Sequence, residues 1–208
     1  FRTGTAFAIE HWGVTPDFIT TAKGASAAYT PVAVTATSAK VAEFFEDEVF
    51  CHGHTYAFHP LSAAAIPAAI SELKRIVASG LPQRVAAHLK KKLYELAERH
   101  ICVGDVRGIG HFWGLELVKN RKTKEPFDTK AEKFSTRALM TGRVAGDAMQ
   151  RGVYVSPWYD SLVIAPPLII TEAQVDEALA ALDKSLEIAD QEAVDTGTPV
   201  SRSTEYRK

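Results

Sequence analysis

The sequence feature that most constrains the fold is a short aromatic and β-branched run, Phe18-Ile19-Thr20-Thr21, that leads directly into Ala22-Lys23-Gly24. A run of this kind is typical of a buried strand. A charged lysine directly after such an apolar strand is unusual. Strand ends in α/β folds often open into a crevice where ligands bind, so the lysine is a candidate for a ligand site. The small residues of Ala25-Ser26-Ala27-Ala28 would leave space for a bulky planar group beside the amine. The alternative is a lysine whose side chain simply reaches solvent from the strand end.

Strand-like and helix-like segments alternate along the chain, which predicts an α/β fold. Residues 1–80 form the first part and end in a long alanine-rich helical stretch, Leu61 to Ile76. Apolar residues nearly surround this stretch, and a helix of that kind is usually buried. Residues 81–189 read as a small α+β module, and residues 190–208 are a polar tail that we expect to be disordered.

Charge and composition exclude several classes of partner. Lys and Arg number 24 against 25 Asp and Glu, for a net charge of -1, which gives no electrostatic reason to expect nucleic acid or an anionic membrane. The apolar runs are too short to span a bilayer. Cys51 and Cys102 form neither a disulfide framework nor a ligand spacing, so we expect free thiols and a cytoplasmic location. Because the chain opens abruptly at Phe1, we expect it to be part of a longer protein.

A second group of candidate residues lies just before Pro60. Gly53 would let the backbone approach a phosphate closely, Thr55 offers a hydroxyl, and His54 lies between them. A metal site built on His52, His54 and His59 is an alternative, although no convincing fourth ligand is nearby. A loop that merely packs its rings together is the simplest interpretation.

Arg107 is the third candidate, within Val106-Arg107-Gly108-Ile109-Gly110. The glycine spacing continues as GxGxxxG, which differs from the GxGxxG of dinucleotide-binding folds. The planar guanidinium of an arginine matches the two oxygens of a carboxylate, so Arg107 suits a substrate acid. An ordinary surface salt bridge is the alternative.

Taken together, these segments resemble the class III aminotransferases, which are fold-type I pyridoxal-phosphate enzymes. The matching residues are Arg2-Thr3-Gly4, Pro16-Asp17, Thr21-Ala22-Lys23-Gly24, His54-Thr55-Tyr56, His59-Pro60, Val106-Arg107-Gly108-Ile109-Gly110, Glu116-Leu117-Val118 and Ala165-Pro166-Pro167-Leu168. Their order and spacing are those of the family, and the resemblance extends from Phe1 to about Ala189.

The resemblance implies a fold and a set of roles. Residues 1–80 would be the C-terminal part of the large cofactor-binding domain, with a mostly parallel sheet, followed by the small α+β C-terminal domain. Lys23 would hold pyridoxal 5'-phosphate as a Schiff base and carry the proton between substrate and cofactor. Gly53, His54 and Thr55 would lie at the cofactor phosphate, with Thr55 donating a hydrogen bond. Arg107 would bind the carboxylate of the substrate.

The resemblance also implies an activity and partners. An amine or amino acid would donate its amino group to a keto acid, pyruvate or 2-oxoglutarate, in a ping-pong cycle. Phe112-Trp113-Gly114 and the charged turn from Asn120 to Phe127 favour ω-amino donors such as taurine or β-alanine. A homodimer with sites at the interface is expected. A partial, non-catalytic member of the fold, an aminomutase or a decarboxylase remain alternatives.

One departure from the family concerns the cofactor. In the family a long N-terminal portion carries an aspartate for the pyridine nitrogen, a Gly-Ser phosphate loop and a stacking aromatic residue. These elements precede the equivalent of Arg2-Thr3-Gly4 and are not in this sequence. We therefore expect the 208 residues alone neither to hold the cofactor well nor to transaminate.

Overall fold

The computed structural model describes residues 1–203, which divide into two compact units. The first unit comprises Phe1 and Thr5–Ser79, and the second comprises Arg2–Gly4 with the residues from Gly80 onward. Strands and helices are mixed along the chain, so the predicted α/β class is confirmed. Among the described residues, no helix combines the length and the apolarity needed to cross a bilayer.

The first unit contains a small sheet and two helices. Its elements are β1 (Phe18–Ala22), β2 (Ala33–Thr37), α1 (Ala39–Asp47) and α2 (Pro60–Ala78). Ser38 lies at the N-cap position of α1, but its hydroxyl donates to Asp17 Oδ1 at 2.9 Å and does not cap the helix. Proline at the start of α2 fits the first turn, where its missing N–H would have had no partner.

The two strands of the first unit form a hairpin-like pair, whereas the large domain to which they would belong is expected to have a mostly parallel sheet. The two strands are antiparallel, with Phe18 opposite Thr37 and Ala22 opposite Ala33. A parallel pair needs a crossover of about a dozen residues or more, whereas the chain returns after residues 23–32. Within the described residues, the sheet of the first unit is therefore a single antiparallel pair, and a mostly parallel sheet stays a prediction for the large domain as a whole.

Helix α2 is not buried, in contrast to the prediction from its all-round apolar surface. None of its residues falls in the buried class, and Leu61 keeps 76% of its surface exposed. In the first unit only Ser26 is buried, because a two-stranded sheet and two helices are too few layers to cover an apolar helix.

The second unit is an antiparallel sheet covered by helices. Its elements are α3 (Leu81–Arg99), β3 (Val103–Ile109), β4 (Phe112–Leu117), α4 (Met140–Gln150), β5 (Ser156–Trp158), β6 (Ser161–Ile164) and α5 (Glu172–Asp190). The strand order is β3-β4-β6-β5, with every neighbouring pair antiparallel.

One hydrophobic core holds the second unit together. Helix α3 buries an apolar stripe at helical spacing, with Val85, Leu89, Leu93 and Leu96 at 0–1% exposure. It packs with α4, α5 and the sheet in a single cluster. A capping box starts α5, since the Thr171 side chain accepts from the backbone N–H of Gln174 and the Gln174 side chain accepts from the backbone N–H of Thr171.

The composition predicts a disordered tail beyond α5, but the tail follows a defined course up to residue 203. Val194 donates its N–H to Lys119 O at 2.8 Å, and Ser201 donates its N–H to Gly104 O at 3.0 Å. The edge of β3 offers unpaired backbone groups, and an extended polar segment can satisfy them regardless of its composition. The last part of the predicted tail, residues 204–208, lies outside the described residues.

Candidate functional site

Lys23 lies at the junction between β1 and the loop that follows, in a backbone conformation uncommon for a lysine. Its φ of 50° is in the left-handed region, and Ala27 and Ala28 share that region with φ of 50° and 62°. The bend is fixed locally, because Ala28 N–H donates to Lys23 O at 3.2 Å and the buried Ser26 hydroxyl donates to Thr30 O at 2.9 Å. Conformations of this kind cost free energy and cluster at ligand sites, which makes Lys23 a candidate on geometric grounds.

The side chain of Lys23 is available for chemistry. It is exposed, and its amine makes no hydrogen bond or ion pair with any residue of the described range 1–203. The loop beside it is anchored to α2 by Thr30, whose hydroxyl donates to Ser62 O at 3.2 Å. A cofactor aldehyde could therefore approach the amine without displacing a protein group.

Gly53, His54 and Thr55 lie in the exposed loop that leads into α2. Ala57 N–H donates to His54 O at 2.9 Å and forms a tight turn that includes Thr55. The rings of His52 and His54 meet edge to face, with centroids 4.7 Å apart. Among the described residues, no cluster of three or more His, Cys, Asp or Glu side chains is arranged to hold a metal ion.

A cavity of about 770 Å³ opens beside this loop within the first unit. Its walls come from β2, from the loop that contains His54 and His59, and from the first turns of α2. Lys23 and Thr55 are not in its lining. The fold thus brings His54 to a concave surface and leaves Lys23 and Thr55 outside it.

Arg107 lies on β3 in the second unit and already has anionic partners. Its Nη1 lies 2.8 Å from Asp105 Oδ2 and 2.5 Å from Glu116 Oε2, and its Nη2 donates to Ser161 Oγ at 3.3 Å. Burial disfavours the guanidinium charge, but the bonds to Glu116 and Asp105 outweigh it and raise the pKa of Arg107. A substrate carboxylate would have to displace one of these acids, and the partly exposed Glu116 is the one open to exchange.

The sequence did not identify Asp105 and Glu116 as partners of Arg107. Asp105 and Arg107 are two residues apart on β3 and therefore project from the same face of the strand. Glu116 lies opposite Asp105 in the β3–β4 register. The two-residue spacing between Asp105 and Arg107 was visible in the sequence. The position of Glu116 depends on the pairing register of β3 with β4, which the sequence alone does not reveal.

The glycines near Arg107 are required by packing. A Cβ on Gly108 would lie 2.4 Å from Phe112 O, and one on Gly110 would lie 2.6 Å from Arg2 O. Gly110 also has a φ of 60°, which favours glycine. His111 N–H donates to Arg2 O at 2.8 Å, so the turn between β3 and β4 holds the N-terminal segment.

Arg2 connects two of the sequence motifs within the second unit. Its Nη1 donates to Ala165 O at 3.0 Å and to Pro166 O at 2.9 Å. The segment Arg2–Gly4 therefore lies between the glycine turn at Gly110 and the Ala165-Pro166-Pro167 segment. Three motifs that are distant in the sequence therefore contact one another, and together they hold the N-terminal segment on the second unit.

Comparison with known proteins places these features in one family. The model for aminotransferase class-III matches residues 1–186. The chain is 37% identical over 193 residues to the taurine–pyruvate aminotransferase of Rhodobacter capsulatus, covering 89% of this chain and 41% of that protein. It is 32% identical over 188 residues to the putrescine–pyruvate aminotransferase of Pseudomonas aeruginosa, covering 89% of this chain and 39% of that protein. The chain thus spans about two fifths of the length of the curated relatives it matches.

Solved structures give the same result. The PMP-bound aminotransferase from Vibrio fluvialis superposes with a TM-score of 0.82 at 29% identity, covering 93% of this chain and 42% of that one. An amine transaminase from an uncultivated Pseudomonas species, solved in the PLP-bound form, gives a TM-score of 0.78 at 31% identity, covering 89% and 41%. With residues 1–186 of 208 matched by the family model, the chain belongs to the class-III aminotransferases, a pyridoxal-phosphate-dependent family.

Proposed function

We propose that the whole protein is an aminotransferase that moves an amino group from an amine or amino acid to a keto acid, with Lys23 as the residue that holds pyridoxal phosphate. The observation that carries this proposal is the accessible amine of Lys23 at the end of β1, on a backbone bend that Ser26 and Thr30 keep in place. Pyridoxal phosphate, when bound, supplies an aldehyde and a ring that withdraws electrons from the substrate.

The residues present fit that group in chemical type. A primary amine is the group that condenses with an aldehyde, and Lys23 has one that no described residue engages. We propose that Lys23 holds the cofactor and afterwards moves the proton at the substrate carbon. The exposed hydroxyl of Thr55 would donate to the cofactor phosphate, and Gly53 and His54 would shape that part of the loop.

Arg107 is proposed to bind the substrate carboxylate. The support is its paired N–H donors on an exposed guanidinium, which suit two carboxylate oxygens. Because Glu116 holds Nη1 at 2.5 Å, the proposal requires the substrate to take the place of Glu116. Asp105, at 4% exposure, would stay as the fixed partner.

Pyruvate and ω-amino donors are the proposed substrate class. The relatives described as taurine–pyruvate and putrescine–pyruvate aminotransferases support this choice. A homodimer is also proposed, since it is implied by the family resemblance. A donor screen with pyruvate, together with light scattering for the oligomeric state, addresses both points.

Borohydride trapping tests the role of Lys23 without requiring turnover. The 208-residue chain is mixed with pyridoxal phosphate, reduced and digested, and the labelled peptides are quantified by mass. We expect several-fold more label on Lys23 than on Lys40, an exposed lysine of the same unit that serves as the matched control. Equal labelling of the two lysines would contradict the proposal.

The same experiment measures how much of the cofactor site this chain supplies. Because Ser26 alone is buried in the first unit, we expect water to reach Lys23 and binding to be weak. Addition of a polypeptide that spans the rest of a relative should increase the labelling of Lys23. A strong visible absorbance and amino-group transfer by the chain alone would show that it needs no such addition.

A further inference from the structure

The segment 198–203, which we call the C-terminal strap, lies beyond the residues 1–186 matched by the family model. It runs along β3, an outer strand of the sheet. Ser201 donates its N–H to Gly104 O at 3.0 Å and accepts from Val106 N–H at 2.9 Å, in a parallel bridge opposite Asp105. The strap thus extends the sheet by one short strand-like segment.

Side chains fix the strap to the rest of the second unit. Arg202 pairs with Glu98, and its guanidinium lies over the ring of Tyr94 at 4.6 Å from the centroid. The carbonyl of Thr198 accepts from Arg121 Nη1 at 3.3 Å. The strap is therefore held at both ends, by α3 on one side and by a buried arginine on the other.

The end of the strap reaches the carboxylate that holds Arg107. Ser203 donates to Asp105 Oδ1 through its backbone N–H at 3.1 Å and through its hydroxyl at 2.7 Å. The other oxygen of the same carboxylate, Oδ2, accepts from Arg107 Nη1 at 2.8 Å. Oδ1 of Asp105 thus binds the strap, and Oδ2 binds Arg107.

We propose that the C-terminal strap is a positioning element for Arg107, with Ser203 acting through Asp105. The two hydrogen bonds to Oδ1 fix the orientation of the carboxylate, so that Oδ2 holds the guanidinium while Glu116 exchanges for a substrate acid. Without the strap, Arg107 keeps Glu116 as its main partner, and its N–H donors are less available to a substrate carboxylate. This consequence for the substrate rests on the proposed function, whereas the effect on Asp105 does not.

Titration of Asp105 tests the strap on the full chain. Burial opposes the charge of Asp105, but hydrogen bonds from Ser203, Arg107 and Ser201 prevail and hold its pKa below the ordinary value. With Ser203→Ala we expect the proton affinity of Asp105, followed by carboxyl ¹³C NMR, to rise several-fold. Ser203→Thr, which keeps the hydroxyl, should restore the wild-type titration.

A matched control separates this effect from a general loss of structure. Ser135→Ala removes a serine hydroxyl that donates to Glu132 O at 2.8 Å, and it should leave the titration of Asp105 unchanged. An unchanged titration of Asp105 in Ser203→Ala would overturn the proposal. So would an equal rise in Ser135→Ala.

An activity measurement in the complete enzyme tests the consequence for the substrate. Pyruvate is compared with propanal, an acceptor that lacks a carboxylate. In Ser203→Ala we expect KM to rise several-fold for pyruvate and to stay constant for propanal, with little change in kcat. Equal changes for both acceptors would overturn the positioning role. Absence of turnover in the wild-type enzyme would refute the proposed function, and the Asp105 titration would still decide on the strap.

Discussion

Replacement of His100 should lower the stability of the second unit in a way that depends on pH. His100 follows α3 and is 5% exposed. Its Nδ1 lies 2.6 Å from Asp190 Oδ2, and its Nε2 lies 3.2 Å from Asp183 Oδ1. Only the protonated imidazolium donates from both nitrogens, so the charged form connects the end of α3 to α5.

The expected loss follows from these contacts. A hydrogen bond to a charged group contributes about 1.5–3 kcal/mol. With His100→Gln one of the two bonds can be kept. Asp183 also retains Arg99 at 2.5 Å, and Asp190 retains the N–H of Cys102 at 2.9 Å, so neither acid is left without a partner. We therefore expect a loss of about 2 kcal/mol in the free energy of unfolding near pH 6, or about 1 M in the urea midpoint.

The sign of the pH dependence is fixed by the direction of the shifts. Burial disfavours the imidazolium, but the bonds to Asp190 and Asp183 prevail and raise the pKa of His100. The stabilisation is therefore fully present below the unfolded pKa of about 6.5 and is lost as the pH rises through the higher folded value. Despite burial, hydrogen bonds from Arg99 and His100 lower the pKa of Asp183, and those from His100 and Cys102 lower the pKa of Asp190, so the contribution of both acids is lost at low pH.

Urea unfolding followed by the fluorescence of the buried Trp113 provides the assay. The gap between wild type and His100→Gln should be largest near pH 6 and should shrink toward pH 9. A gap of equal size at both pH values would refute the charged clamp. Equal stability of the two proteins near pH 6 would refute any contribution from it.

Two further substitutions test the packing of the second unit. Gly110→Ala should cost about 2–4 kcal/mol, because the left-handed φ is unfavourable for alanine and the new Cβ meets Arg2 O at 2.6 Å. Gly142→Ala in α4 is the matched control and should stabilise by about 0.5–1 kcal/mol, since nothing lies within 4 Å of the added Cβ. Arg121→Met should cost about 3–5 kcal/mol in the same urea assay, because it removes the donors to four backbone carbonyls, including Val103 O at 2.8 Å. A cost below about 1 kcal/mol for either Gly110→Ala or Arg121→Met would contradict these contacts.

The positions of the candidate residues in the fold were predictable in part, for local reasons. Lys23 stands out in the sequence because a strand leads into it and small residues follow. Thr55 and His54 stand out because they precede a proline that starts a helix. For these three residues, the residue type and the adjacent residues in the chain are enough for the prediction. Two partners of Arg107 were not predictable, because Glu116 and Ser161 meet it only through the pairing of β3, β4 and β6.

The sequence by itself determined the features that depend on neighbouring residues. Examples are the apolar stripe of α3, the capping box at Thr171 and the left-handed φ of 87° at Gly152 after α4. Each is set by interactions within a few residues, so the order of the amino acids is sufficient to predict it.

Only the tertiary structure decided which segments meet. The antiparallel pairing of β1 with β2, the exposed surface of α2 and the course of the C-terminal strap along β3 contradict or extend what the composition indicates. These features depend on contacts between residues far apart in the chain, as between Ser203 and Asp105. A local pattern fixes what a segment is, whereas its partner is selected by the packing of the whole unit.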